Sequence, residues 1–357
     1  MRPDLHDARG RGLSRSLAVL VTASWAVASA ATLPGHASTV ERGRWLMGTL
    51  CTAEVQAADT SAAAAAAEAA FDEIARLEAL LSSWRADSEV AKLNALGAGE
   101  SLACSPATYE VLVAARSLAE VTRGAFDPTV EPLVRAWDIR GRGRVPDEDE
   151  IGEALTRVGW QGLHLGEDGL AARLEAAGMG LDLGGIGKGF AMDHAFAVLE
   201  ARGVRRARLN FGGEICAISD GAPWPVTIAD PADRLRPLIA FELAEGAVST
   251  SGQSERSFRA KGREWGHILD PRTGRPVAWP GSVTVVAGSA TQADALSTAL
   301  FVMGRAEGEA FARAHPEIGV LWLEPAGGRV LAWGWNLPAT RDVEADVVQW
   351  MDTADAR

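Results

Sequence analysis

The chain has 357 residues, 47% of them hydrophobic, enough to bury a large core in one big domain or two lobes. Its 35 basic and 47 acidic side chains leave a formal net charge of −12. The short basic runs at residues 140–144 and 202–206 are broken by glycine and read as solvated loops, so no nucleic-acid partner is expected.

In chain order, Arg2, Arg9, Arg11 and Arg15 lead into an apolar run over residues 17–31, where Ala28-Ser29-Ala30 has the small-x-small form of a cleavage site. Residues 1–30 are read as a secretory signal peptide or an uncleaved N-terminal anchor, because the run is short of the roughly 20 residues of a spanning helix. No cysteine ends it, so no lipid attachment is expected. Residues 31–43 read as a linker. An alanine-rich amphipathic helix is expected over 62–81 with Asp59 or Thr60 as its cap, a second from Ser105-Pro106 to Gly124, and a third over 147–158. A strand-like stretch at Leu181 then runs through a glycine turn into a helix over 192–202, with Gly203 just past its end. Strands are expected at 206–209, 224–228, 239–243, 246–248 and 281–287, with a hairpin of 320–323 and 329–333. This order is α+β, with mixed, largely antiparallel sheets and flanking helices. The loop at 140–146 is a candidate divide between two closely packed lobes, and residues 341–357 read as an acidic surface segment. Cys51, Cys104 and Cys216 have no metal spacing and read as buried, inert thiols, although an oxidising compartment would allow one disulfide.

Three places carry chemistry. Asp294, Ser297 and Thr298 lie three and four positions apart on an expected helix, so their oxygens share a face. A carboxylate beside hydroxyls suits a hard cation such as Mg²⁺, yet an acid near Ser and Thr at a helix start is also what a cap looks like. The turn Asp182-Leu183-Gly184-Gly185-Ile186-Gly187-Lys188-Gly189 lets backbone approach a ligand closely. The following helix N-terminus and Lys188 offer positive potential, for which a phosphate is the natural guest. The alternative is a tight turn packed on a sheet, and neither nucleotide fingerprint, G-x-x-x-x-G-K-[ST] or G-x-G-x-x-G, is present. In His267-Ile268-Leu269-Asp270-Pro271-Arg272-Thr273-Gly274, His267 is the best general-base candidate among six histidines, against the commoner structural role of a lone His. Asn210-Phe211-Gly212-Gly213-Glu214 and Ser249-Thr250-Ser251-Gly252 each read as a turn at a strand end.

Taken with Met47-Gly48-Thr49, Ser83-Trp84-Arg85-Ala86-Asp87-Ser88-Glu89 and Gly124-Ala125-Phe126-Asp127-Pro128-Thr129, these motifs in this order resemble the ApbE family of FAD:protein FMN transferases. The likeness runs over residues 44–334. It implies one ApbE-like domain over 44–340. It also implies a reaction in which Mg²⁺, or Mn²⁺, grips the FAD pyrophosphate while a Thr or Ser hydroxyl of a target flavoprotein attacks the FMN-side phosphorus and AMP departs. By resemblance, the metal ligands fall on Asp294, Thr298 and the Gly185 carbonyl, with Ser297 as a further ligand. FAD contacts fall on Met47, Trp84, Ala125, Phe126, Asp127, Asp182, Lys188 and Ile268, and Asp294 and His267 are the catalytic pair. The family also implies work on the periplasmic side of a bacterial inner membrane, with membrane association through the N-terminus. After Ser251-Gly252 this chain has Gln253-Ser254, where many relatives have an acidic or amide residue and an aromatic. An FAD pyrophosphatase and a non-catalytic FAD carrier are the rival functions.

Overall fold

The computed structural model describes residues 37–166, 169–253 and 257–351, and among them nine strands form one sheet in strict chain order. They are β1 (Ser38–Leu46), β2 (Thr49–Ala57), β3 (Arg206–Phe211), β4 (Glu214–Ser219), β5 (Gly246–Gly252), β6 (Ser282–Ala287), β7 (Gly319–Ala326), β8 (Arg329–Trp335) and β9 (Val348–Trp350). Every neighbouring pair is antiparallel except β8 with β9. The expected signal peptide at 1–30 and the first part of the linker lie outside the described residues, and the rest of the expected linker is no linker, since residues 38–43 pair with β2 as the first part of β1.

Among the described residues seven α-helices accompany the sheet: α1 (Thr60–Leu81), α2 (Glu89–Ala95), α3 (Pro106–Val121), α4 (Glu131–Ala136), α5 (Glu148–Leu155), α6 (Gly187–Ala201) and α7 (Ala290–Ala314). Their starts follow from local chemistry. Asp59, Ser88, Ser105, Asp147 and Ser289 each accept a first-turn backbone N–H, and Asp147 with Glu150 forms a reciprocal capping box. Alanines and Phe71, Ile74 and Leu77 give α1 one buried stripe, which packs with α6 and α7 on one face of the sheet. The other face is covered by a three-stranded sheet (Trp224–Asp230, Asp233–Leu243, Thr340–Asp342) through Val226, Ile228 and Leu238, meeting Val248, Leu321, Leu323 and Val330. A third cluster gathers around Trp137, whose indole N–H donates to the Gly274 carbonyl at 2.8 Å. The α+β plan is as expected.

Four further local expectations change. The loop at 140–146 separates no second lobe, because the described residues from Ala37 onward form one compact unit; the Arg144 amide donates to Trp137. Leu181 and its neighbours join no ladder. The segment after residue 341 is not all surface, since β9 pairs with β8 and buries Val348. Ser249-Thr250-Ser251-Gly252 is strand throughout, not a turn. The three cysteines are free and buried, and burial pushes the Cys104 thiol up to about 11 and Cys51 up to about 12. Among the described residues no helix is long and apolar enough to cross a membrane.

Candidate active site

Side chains on β5 alternate between the two faces of the sheet. Ala247, Ser249 and Ser251 therefore look toward the helices, while Val248 and Thr250 look away. Ser249 and Ser251 meet the Ser297 hydroxyl of α7 at 3.2 and 2.8 Å, and Ser297 donates to the Asp294 carbonyl at 2.9 Å. Ser297 is fully buried in this helix-to-strand contact, where its hydroxyl ties α7 to β5. Thr298, one position on, lies 3.4 Å from Ser251 by its hydroxyl and faces the glycine turn, where a Cβ on Gly185 would sit 3.1 Å from its oxygen.

Asp294 sits in the second turn of α7, not at its start, and the cap of α7 is Ser289. It caps the neighbouring helix instead. α6 begins at Gly187, five residues earlier than expected, and Ile186 at its N-cap position supplies no side-chain cap. Asp294 Oδ2 accepts the Gly189 N–H at 3.0 Å and so fills that place from outside. Gly189 is required here, because a Cβ at that position would overlap the Ala290 carbonyl of α7. Lys188 Nζ lies 3.7 Å from Asp294 Oδ1 and 2.5 Å from Glu214 Oε1. Burial pushes the Asp294 carboxyl above the usual carboxylate range, against the pull of Lys188 and the Gly189 amide. Lys188 thus bridges two carboxylates.

A second arm begins at Asp182. One of its oxygens accepts the Gly184 N–H at 2.7 Å and shapes the turn; the other meets Arg140 at 2.5 Å. Arg140 also reaches Glu131 at 3.6 Å and lies over the Trp84 ring at 5.8 Å. Trp84 is 64% exposed, so its ring is open to a partner rather than packed in the core. The loop carrying Ala125, Phe126 and Asp127 docks on the same turn. Pro128 accepts the Asp182 N–H, and the Phe126 ring would stand 3.5 Å from a Cβ on Gly185. Asp127 is committed inside the protein, accepting from the Thr129 amide and hydroxyl and from the Trp160 amide, and burial raises its carboxyl.

The third arm carries His267. Gln253, just past β5, clasps Ile268 by accepting its N–H and donating to its carbonyl, both at 3.2 Å, so His267 stands at the far end of the strand that carries Ser251. Met47 occupies the β1–β2 turn at φ +44°, next to the β3–β4 turn that leads to Glu214; Gly212 there packs against Thr49. The structure thus joins Gly185, Lys188, Asp294, Thr298 and Phe126 directly, and reaches Asp182, Trp84 and Ile268 through Arg140 and Gln253.

Residues 47–322 match the model of the ApbE family. The chain belongs to the ApbE family. An FAD:protein FMN transferase of Treponema pallidum (strain Nichols) is 34% identical over 305 residues, spanning 80% of this chain and 84% of that protein. One from Klebsiella pneumoniae (strain 342) is 32% identical, spanning 72% and 82%. The solved ApbE protein of Thermotoga maritima superposes with a TM-score of 0.74 at 32% identity, covering 80% of this chain and 94% of that one. The apo Pseudomonas stutzeri flavinyl transferase ApbE gives 0.74 at 30%, covering 84% and 94%. The mixed, largely antiparallel single-domain fold is that of these ApbE structures.

Within this ApbE chain, sequence reasoning missed Arg140, read as a solvated loop but held against Asp182 and Trp84. The spacing of the arginines around glycine carried no sign of it. Arg206 of the other basic run is likewise placed, 4.0 Å above the Trp224 ring. Ser249 and Ser251 read only as part of a turn, because three consecutive hydroxyls before a glycine give no apolar–polar alternation to mark 246–252 as a strand.

Proposed function

We propose that this chain is an FAD:protein FMN transferase that moves FMN from FAD onto a Thr or Ser hydroxyl of an acceptor flavoprotein, releases AMP, and uses Mg²⁺ or Mn²⁺. The observation that carries the proposal is the meeting of the Asp294 carboxylate, the Thr298 hydroxyl and the Gly185 turn beside Lys188 at the N-terminus of α6.

These donors fit a hard cation. They are all oxygens, and the carboxylate is deeply buried, where a divalent ion offsets the burial cost. Mg²⁺ is commonly held by one or two carboxylates together with substrate phosphates rather than by a full protein cage. Asp294, Thr298 and the Gly185 carbonyl would hold it. When bound, the ion neutralises pyrophosphate oxygens and the charge growing on the leaving AMP.

The chain's own groups do the rest. The α6 N-terminus and Lys188 attract and orient the pyrophosphate. Trp84, braced by Arg140, offers a planar surface for a ring system, worth about 0.5 to 1.5 kcal/mol beyond burial. The acceptor oxygen bonds to the FMN-side phosphorus, the bond from that phosphorus to the AMP oxygen breaks, and the hydroxyl proton passes to the His267 imidazole. The Arg-led apolar N-terminus supports export to the periplasmic side of an inner membrane, either cleaved or retained as an anchor.

Incubation with FAD, Mg²⁺ and an acceptor domain tests the proposal. Covalent flavin on the acceptor with one AMP per flavin supports transfer. Free FMN with AMP would make the chain a pyrophosphatase, and unchanged FAD would make it a carrier; either result overturns the proposal.

A further inference from the structure

The bond from Gly189 to Asp294 is half of a reciprocal arrangement. One turn further along α6, Asp193 accepts the Ala290 N–H at 2.8 Å and the Thr291 N–H at 2.9 Å, and the Thr291 hydroxyl donates to it at 2.5 Å. All three donors belong to the first turn of α7. Each helix thus supplies a carboxylate to the N-terminal amides that its neighbour leaves without intrahelical partners. The two backbones touch at Gly189 and Ala290, so the contact has no room for adjustment. On α6, Gly189 and Asp193 are one turn apart; on α7, Ala290 and Asp294 are one turn apart. A shift of α7 along this contact therefore carries Asp294 and Thr298 away from Lys188 and Gly185 together.

We propose that Asp193 is a positioning residue: by holding the first turn of α7 it sets the distance of Asp294 and Thr298 from the glycine turn, and so sets the affinity of the site for a divalent cation. The role rests on the metal reading given above. Asp193 acts through Asp294, and its two oxygens are already engaged by Ala290 and Thr291.

The test is Mn²⁺ binding to the full-length chain with FAD present and no acceptor, read from the electron paramagnetic resonance signal of free Mn²⁺. Asp193→Ala is expected to weaken Mn²⁺ on the order of 10- to 100-fold, as for groups that orient a metal ligand. Asp193→Asn keeps one acceptor oxygen and is expected to recover part of that loss. The Mn²⁺ concentration for half-maximal turnover should rise more than the KM for FAD at saturating Mn²⁺. A role confined to structure would lower Tm and leave Mn²⁺ affinity at the wild-type value, which would overturn the proposal. Should Asp193→Ala fail to fold, Asp193→Asn and Thr291→Val carry the test, and wild-type Mn²⁺ affinity in both overturns it. Asp294→Ala is the control. Loss of Mn²⁺ there with wild-type binding in Asp193→Ala sinks the positioning role alone, whereas wild-type binding in Asp294→Ala sinks the metal reading and this role with it.

Discussion

The two faces of β5 differ in what they ask of their side chains. Toward the three-stranded sheet, Val248 packs among Val226, Ile228, Leu321 and Leu323, contacts that any apolar group of similar volume could make. Toward the helices, Ser249 and Ser251 grip Ser297, and Thr298 then faces Gly185. A hydroxyl there has directional partners and cannot be exchanged for an equal volume. One strand therefore gives bulk stability on one side and site geometry on the other, and changes on the two sides should affect different measurements.

The largest expected effect breaks the helix side. Asp294→Ala should cut flavin transfer at least about a thousandfold, equivalent to about 4 kcal/mol of lost transition-state stabilisation, while circular dichroism stays native. Near-normal Mg²⁺-dependent transfer would end the distinction between the faces. Leu323→Ala, buried on the opposite face, should cost about 2 to 5 kcal/mol in denaturant unfolding and leave kcat of the folded protein unchanged. A proportionate fall in kcat would show that the two faces are not independent.

His267→Ala sharpens the comparison within the site. Its kcat should fall on the order of a hundredfold while FAD affinity holds, the signature of a group that acts on the proton. An unchanged kcat removes His267 from the chemistry.

The smallest effect concerns Asp127, whose carboxyl burial lifts above its usual range despite hydrogen bonds from Thr129 and Trp160. A group raised in the folded state contributes stability that is complete below its unfolded pKa and is lost as pH rises through the folded value. Asp127→Asn removes that loss but sacrifices one accepted hydrogen bond, about 1 kcal/mol. Its destabilisation, measured by urea unfolding, should be greater at pH 3 than at pH 7; the reverse order would contradict the burial argument.

Much of the fold is legible in the sequence where a single residue has an unambiguous local job. Asp59, Ser105 and Asp147 mark three helix starts within a residue or two, because capping is decided by the nearest amides. The start of α6 was not legible, because Gly187 and Gly189 are poor helix formers and their presence reflects the approach of Ala290 from a segment a hundred residues away. Asp294 shows the same limit: its spacing to Thr298 revealed the shared face, but not that its carboxylate caps a different helix. Arg140 and the pairing of β9 with β8 depend wholly on tertiary neighbours.

The central claim is that a divalent cation sits between Asp294, Thr298 and the Gly185 carbonyl. The most direct measurement is the anomalous scattering of Mn²⁺ in crystals grown with FAD. A peak at roughly 2.0 to 2.2 Å from an Asp294 oxygen, touching Thr298 and Gly185, is the expected result. A manganese peak anchored elsewhere, with Asp294 still bonded only to Gly189 and Lys188, would contradict it.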